Sequence, residues 1–133
     1  MDELIPIGEV ARRAGVATSA IRYYERLGLL DAPARQGGRR CYAPADLRRL
    51  VFIGMLQDAG LHLDDIRVVL DAGDVAEWKA IASERLHALD AEIARLQLAR
   101  EYLAGALLCR FDHPATECRV MGDEIDRRLA TTA

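Results

Sequence analysis

Apolar positions recur at helical spacing in the first part of the chain, and glycine or proline interrupts them. The apolar residues of 7–14 return every three or four positions, as on one face of a helix, and Gly15 ends that segment. A second amphipathic segment covers 17–30, with Thr18 or Ser19 as its expected N-cap. Two short helices joined by a glycine turn predict a helix-turn-helix, although any pair of antiparallel helices would give the same pattern.

Residues 31–44 are rich in turn-forming residues, which predicts a break in the helical pattern. Pro33 and the pair Gly37 and Gly38 mark turns. The residues just after the glycines are basic or aromatic: Arg39, Arg40 and Tyr42. We expect a small β-hairpin, or wing, that places two guanidinium groups beside an aromatic ring, as suits a phosphate backbone. A solvated basic loop has the same composition.

Two further amphipathic segments, 44–59 and 61–72, are expected to complete a helical head. Pro44 suits the first turn of a helix, and Gly60 and Gly73 follow the two segments. Their broad apolar faces predict that they pack against the first two helices.

A long segment over 75–108 predicts a dimerisation helix. It contains no proline and only one glycine, Gly105, and a helix of this length extends about 51 Å. Its apolar positions alternate by three and four, with one charged interruption, as in a coiled-coil seam: Leu86, Leu89, Ile93, Leu96, Arg100, Leu103 and Leu107. We expect the seam to pair with a second copy in a symmetric dimer. A monomeric helical bundle is the alternative.

Pro114 ends the long helix, and a loop from Cys109 to Cys118 is expected before a last helix near 120–129. The pattern therefore divides the chain into three parts. Residues 1–73 form the helix-turn-helix head with linking helices, 74–108 the dimerisation helix, and 109–133 the terminal loop and helix.

Composition narrows the class of protein. The chain has 133 residues, of which 51% are hydrophobic and 29% charged, which excludes a disordered chain and a membrane protein. Residues 1–50 hold nine arginines and six acidic residues, whereas 51–133 hold nine basic and fifteen acidic residues. The first fifty residues, which contain the predicted helix-turn-helix and wing, are therefore net basic, which fits nucleic-acid binding. The chain has 17 arginines and one lysine, which suits phosphate recognition but also follows from a GC-rich genome.

An odd number of cysteines and an N-terminus without an apolar signal region predict a reduced, cytoplasmic protein. No set of nucleophile, base and orienting residue stands out, so we expect no enzyme. A coiled-coil adaptor that does not bind DNA would require the basic head to be incidental.

The order of motifs resembles the MerR family of bacterial transcription regulators. The matching stretches lie within 5–121 and read IGEVARRAGV, TSAIRYYERLGLL, GGRRCYAPADLRRL and FIGMLQDAGLHLDDIRVVL. The resemblance implies a mainly α fold, in which a winged helix-turn-helix head with a small β wing precedes a long antiparallel coiled-coil dimerisation helix. It also implies a homodimer on double-stranded promoter DNA. An effector would change the DNA distortion, so that RNA polymerase is reached indirectly through the DNA.

By matching position, the resemblance assigns DNA-facing residues. On the second helix they are Thr18, Ser19, Arg22 and Tyr23, with Tyr24 either at a phosphate or packed inward. In the wing they are Arg39, Arg40 and Tyr42. The usual family wing reads Gly-Tyr-Arg-x-Tyr, and Arg39 stands here in place of the first tyrosine.

The Cys109–Cys118 loop is the candidate effector site, because metal-sensing members of the family carry two cysteines there. Cys109, His113 and Cys118 offer three ligands for a Zn or Cu ion, and two cysteines alone suit Cu⁺. A partner cysteine usual in divalent sensors is missing, which leaves Asp74 or Glu77 as unusual oxygen ligands. A thiol redox switch and inert cysteines with another effector remain open. An iron–sulfur cluster is excluded, because it needs four clustered cysteines and the chain has three.

Overall fold

The computed structural model of the protein describes residues 3–132, and Met1, Asp2 and Ala133 lie outside the described residues. Helices dominate. In chain order they are α1 Ile7–Ala14, α2 Thr18–Arg26, α3 Pro44–Asp58, α4 Leu63–Asp71, α5 Val75–Ala106, α6 Pro114–Glu117 and α7 Arg119–Thr131. The strands are β1 Ile5–Pro6, β2 Ala34–Gln36 and β3 Arg39–Tyr42. The predicted mainly α fold with a small wing is confirmed.

The turn between α1 and α2 forms where the glycine predicts it. Gly15 has a φ of 71°, and its N–H donates to the Ala11 carbonyl, which closes α1. The prediction that Thr18 or Ser19 caps α2 is wrong. Ala17 is the N-cap and makes no side-chain cap bond, because both hydroxyl residues already lie inside the first turn.

The wing is a two-residue hairpin attached to a third strand. Gly37 and Gly38 have φ of 58° and 78°, and Gln36 pairs with Arg39 across the turn. Two consecutive residues with positive φ define the type I′ turn, which glycine adopts without strain. The sheet order is β1-β3-β2, all antiparallel, and β1 pairs Ile5 with Tyr42. The sequence pattern missed β1, because two residues are too few to show a period.

A single apolar core holds the head together. Val10, Ile21, Ile53 and Ile66 come from α1, α2, α3 and α4, and their side chains are inaccessible to solvent. The four helices therefore meet on one core, beneath the wing, and this packing fixes the outward face of α2.

The rest of the chain is organised around α5. By contacts the chain forms two compact units, one up to Arg85 and one from Leu86. The start of α5 belongs to the first unit, where Nε of Arg85 donates to the Ala59 carbonyl at 2.7 Å. The division of the chain into three functional segments stays a prediction; these segments are 1–73, 74–108 and 109–133.

The predicted loop from Cys109 to Cys118 contains a short helix, α6, which begins at Pro114. The prediction that Pro114 ends the long helix is wrong, because α5 already ends at Ala106. Pro114 instead occupies the first position of α6, which proline suits. The last helix, α7, is confirmed and slightly longer than expected. Among the described residues, no helix is long and apolar enough to cross a bilayer.

Candidate functional site

The outer face of α2 carries the side chains that the sequence places on DNA. Thr18, Ser19 and Arg22 are exposed, and Tyr23 is 45% exposed. The guanidinium of Arg26 lies 5.7 Å from the centroid of the Tyr23 ring. Because the opposite face is buried in the core, this row of polar and aromatic groups points into solvent.

A cleft of about 400 Å³ lies between α2, the wing and the start of α1. Its charged lining consists of four arginines, and its other lining residues belong to β1, α1 and the wing turn: Arg22, Arg35, Arg39, Arg40, Pro6, Ile7, Gly8 and Gly38. None of these lining residues is acidic. Ile7 and Gly8, which line the same cleft, belong to the first turn of α1, where the N–H groups have no partner within the helix. We call this region the basic cleft, and it has the charge and donors of an anion site.

Arg35 and Arg40 face each other across the wing, as a directly opposed pair on β2 and β3. Like charges in such a pair repel, which a bound anion would relieve. A Glu25 oxygen accepts a hydrogen bond from Nη1 of Arg40 at 2.5 Å, so Arg40 is partly neutralised. Within residues 3–132, Arg35 makes only a 3.3 Å bond to the Gly38 carbonyl.

Glu25 also binds the wing through a second residue. The Tyr42 hydroxyl donates to Oε1 of Glu25, and the Tyr42 residue is 1% exposed. Burial, followed by the hydrogen bond and charge of Glu25, raises the pKa of Tyr42 to about 12. The structure thus places Tyr42 in the core rather than on the outer surface of the wing.

Tyr24 packs inward, which was one of the two alternatives for it. It is 8% exposed, and its hydroxyl donates to Oε1 of Gln57 on α3 at 3.1 Å. This bond ties the middle of α2 to the core helix behind it.

Two arginines that sequence reasoning missed hold the end of α2. Nε of Arg49 donates to the Leu29 carbonyl at 2.7 Å, and Arg67 donates to the Leu27 carbonyl. Glu25 and Arg35 were missed as well. These roles depend on contacts between distant segments, which helical periodicity does not reveal; only the position of Arg35 beside the wing glycines was a signal.

A second cleft, of about 750 Å³, lies in the unit that begins at Leu86, between the end of α5, the following segment and α7. Cys109 and Cys118 both line it, and both are free and partly exposed. Apolar side chains form most of the remaining wall, including Leu108, Phe111, Val120 and Met121. We call this region the thiol cleft.

His113 is exposed and is not among the residues that line the thiol cleft. Within residues 3–132, no three His, Cys, Asp or Glu side chains are close enough to hold a metal ion. The structure brings the two cysteines to one cleft but does not assemble the set of Cys109, His113 and Cys118.

Asp74 and Glu77, the alternative oxygen ligands, have a structural role. Oδ1 of Asp74 accepts from the Glu77 N–H at 3.0 Å, and Oε2 of Glu77 accepts from the Gly73 N–H at 2.9 Å. This reciprocal arrangement caps the start of α5. Both carboxylates are therefore engaged at a helix N-terminus.

The four-helix head, the wing and the basic cleft define a winged helix-turn-helix protein. Family models agree: the model described as MerR HTH family regulatory protein matches residues 5–73, and the model described as MerR, DNA binding matches 47–106. The chain belongs to the MerR family. It is a MerR-type transcriptional regulator, which is a DNA-binding protein and not an enzyme.

Among its relatives is the HTH-type transcriptional regulator ZntR of Escherichia coli, 34% identical over 124 residues, which cover 86% of this chain and 88% of ZntR. A SoxR homolog of Chromobacterium violaceum, described as a transcriptional activator, is 37% identical over 101 residues, which cover 66% and 68%. Among solved structures, PbrR691 of Ralstonia metallidurans in complex with lead(II) aligns with a TM-score of 0.63 at 26% identity, covering 90% of this chain and 98% of that one.

Proposed function

We propose that the chain reads double-stranded promoter DNA with the outer face of α2 and the adjoining basic cleft. The observation that carries this proposal is the convergence of four arginines, without an acidic lining residue, beside an exposed helix face. Phosphate contacts of this kind position a protein on duplex DNA, and side chains from a helix then reach base edges in the major groove. Arg22 stands at the junction of the two surfaces.

The proposed roles follow from exposure. Thr18, Ser19, Arg22 and Tyr23 are exposed or partly so and lie on the α2 face that would enter the groove. Arg39 and Arg40, together with Arg35, would contact the phosphate backbone of the DNA. Tyr24 and Tyr42 are buried, and we assign them the positioning of α2 and the wing instead of a direct contact.

Selection of binding sites from a random duplex library tests this proposal, since the operator is unknown. The native protein should enrich a near-palindromic sequence, with affinity that falls steeply as salt rises. Arg22→Ala should lose the enrichment but keep its helicity. Arg95→Ala removes the same charge from the exposed surface of α5 and should enrich the native sequence. Equal enrichment by Arg22→Ala and the native protein would contradict the assigned orientation of α2.

We propose that two copies pair through α5 as an antiparallel coiled coil. The apolar seam is exposed along α5, with Leu86 by 59%, Ile93 by 50%, Leu96 by 48% and Leu103 by 68%, and Leu107, one residue beyond the end of α5, is exposed by 88%. An exposed apolar stripe of this length favours association. Effector binding at the end of α5 would then change the DNA distortion imposed by the two heads, and RNA polymerase would respond to the DNA.

We propose that the effector is a Zn or Cu ion bound by Cys109 and Cys118. Two thiols on one cleft fit a two-coordinate Cu⁺, because thiolates are soft ligands. Zn²⁺ takes four ligands, so it would require His113 and a further donor to join them. The similarity to ZntR and to the lead(II)-bound PbrR691 supports a metal effector.

Native mass spectrometry of the reduced protein, titrated with Cu⁺ and with Zn²⁺, tests the effector. Metal uptake that both Cys109→Ser and Cys118→Ser abolish, and that Cys41→Ser retains, supports the proposal. Cys41 is the matched control because it is 3% exposed in the head. Loss of two hydrogens per chain on mild oxidation, without metal uptake, would support a thiol redox switch instead. If the protein shows neither metal uptake nor loss of hydrogens, both the metal hypothesis and the redox hypothesis are contradicted.

A further inference from the structure

Metal binding accounts for the two thiols of the thiol cleft but not for its walls. A two-coordinate ion needs two donors and little space, whereas this cleft measures about 750 Å³. That volume is typical of a site for a small organic molecule. Several wall residues are largely accessible, with Leu108 84%, Val120 80% and Phe111 52% exposed. Within one chain, the apolar surface is thus open to a ligand and lies beside two partly exposed thiols.

We propose that the thiol cleft captures apolar carbon electrophiles, namely uncharged α,β-unsaturated carbonyl compounds with a hydrocarbon body. The hydrocarbon body would lie along Phe111, Val120 and Met121, and the reactive double bond would reach Sγ of Cys109 or Cys118. This inference goes beyond the proposed metal response. The test of this inference contains neither metal nor DNA, so a negative result would not contradict the proposed function.

The chemical step is an addition of the thiol across the carbon–carbon double bond. The sulfur, as thiolate, forms a bond to the β-carbon, and the π electrons move to the carbonyl as an enolate. The α-carbon then takes a proton from water, which replaces the proton that the thiol released. The step has no leaving group and needs no oxidant or reductant.

Because the wall is apolar, the reaction rate should depend on the hydrocarbon body of the electrophile. Each methylene moved from water onto apolar surface is worth about a fourfold change in an equilibrium or a rate. Charged residues of both signs also line the cleft, namely Glu101, Asp123, Glu124, Arg110 and Arg127, so the apolar wall rather than the charged lining carries the selectivity. An uncharged electrophile with a longer chain should therefore react faster than a short one with the same reactive group.

The test compares trans-2-nonenal with trans-2-pentenal, which share the reactive group and differ by four methylenes. The full-length protein is reduced, freed of metal and treated with each aldehyde. The adducts are then fixed with borohydride and assigned by peptide mass spectrometry. We expect nonenal to react about tenfold faster or more, at Cys109 or Cys118. Cys41 should stay unmodified, because it is 3% exposed in the head.

Wall variants separate binding from plain thiol reactivity. Phe111→Ser and Val120→Ser replace exposed side chains and should reduce the nonenal-to-pentenal ratio to about twofold or less, with an unchanged rate of alkylation by iodoacetamide. Phe52→Ser makes the same change on α3, where Phe52 is 40% exposed, and should keep the full ratio. A ratio near one in the native protein, a ratio that the wall variants retain, or equal modification of Cys41 would overturn the proposal.

Discussion

The hydroxyl of Tyr42 donates a hydrogen bond to Oε1 of Glu25, which ties the last strand of the wing to α2. The other oxygen of the same carboxylate accepts from Arg40 at 2.5 Å, and the Glu25 side chain is 11% exposed. Neither α2 nor the wing can shift without breaking these bonds. The two surfaces proposed to touch DNA are therefore held as one unit by a residue that need not touch DNA itself.

Glu25→Gln should destabilise the head. The amide keeps an acceptor for Tyr42 but loses the charge that faces Arg40, and removing one partner from a mostly buried charged bond costs about 1–3 kcal/mol. We expect the free energy of unfolding in urea to fall by that amount at neutral pH. Glu9→Gln is the matched control. Glu9 is exposed and lies 3.8 Å from Arg12, so its replacement should cost at most about 0.5 kcal/mol. Equal losses in both variants would contradict the role of Glu25.

The same bond predicts a stability change at alkaline pH. The pKa of Tyr42 is about 12 in the folded protein and about 10 in an unfolded chain. A raised pKa means that the protonated phenol stabilises the fold fully below pH 10, and that this contribution is lost as the pH rises from 10 to 12. The difference in unfolding free energy between the native protein and Tyr42→Phe should be constant up to pH 9 and then shrink.

Urea titrations from pH 8 to pH 11.5 measure this difference. Tyr23→Phe serves as the control because Tyr23 is 45% exposed, and its difference from the native protein should stay flat. A Tyr42→Phe difference that also stays flat would show that the phenol proton does not contribute to stability.

Most of the head could be predicted because glycine and proline mark its turns. Gly15, Gly37 and Gly38 adopt positive φ at the ends of α1 and β2, where the sequence pattern places breaks. Glu25 could not be predicted in the same way. Its position on α2 is visible in the helical period, but its two partners lie on β3, and only the folded chain brings them together.

The same distinction, between features visible in the sequence pattern and features that depend on the folded chain, applies to the candidate sites. The outward position of Arg22 follows from the period of an amphipathic helix. The burial of Tyr42 does not follow from any period, because a four-residue strand does not reveal which face is covered. Cys109 and Cys118 line one cleft, whereas His113 is exposed and does not line it.

Arg35→Ala should weaken DNA binding without changing sequence preference. The side chain is exposed, lines the basic cleft and, among the described residues, makes one weak internal bond at 3.3 Å, so its loss removes charge without disturbing the core. One lost phosphate contact should reduce the slope of log K against log salt by about one. Fluorescence anisotropy with a selected duplex at several salt concentrations measures the slope. Arg95→Ala should retain the native slope, and an unchanged slope in Arg35→Ala would remove Arg35 from the interface.

Leu96→Glu should convert the protein into a monomer. Leu96 lies in the middle of the proposed α5 seam and is 48% exposed, so a carboxylate there would lose its hydration in the dimer, even with Arg100 one turn away in the same seam. Light scattering coupled to size-exclusion chromatography measures the molar mass. DNA binding should weaken at the same time, because a monomer reaches only one half-site.

Leu98→Glu separates the seam from a general effect of charge on α5. Leu98 is 44% exposed, similar to Leu96, but two positions along a helix turn the side chain by about 200° to the opposite face. This variant should remain dimeric and keep native affinity for DNA. If both variants become monomeric, association does not depend on one face of α5. If Leu96→Glu stays dimeric, the seam is not the interface, and the exposed apolar stripe would need another partner.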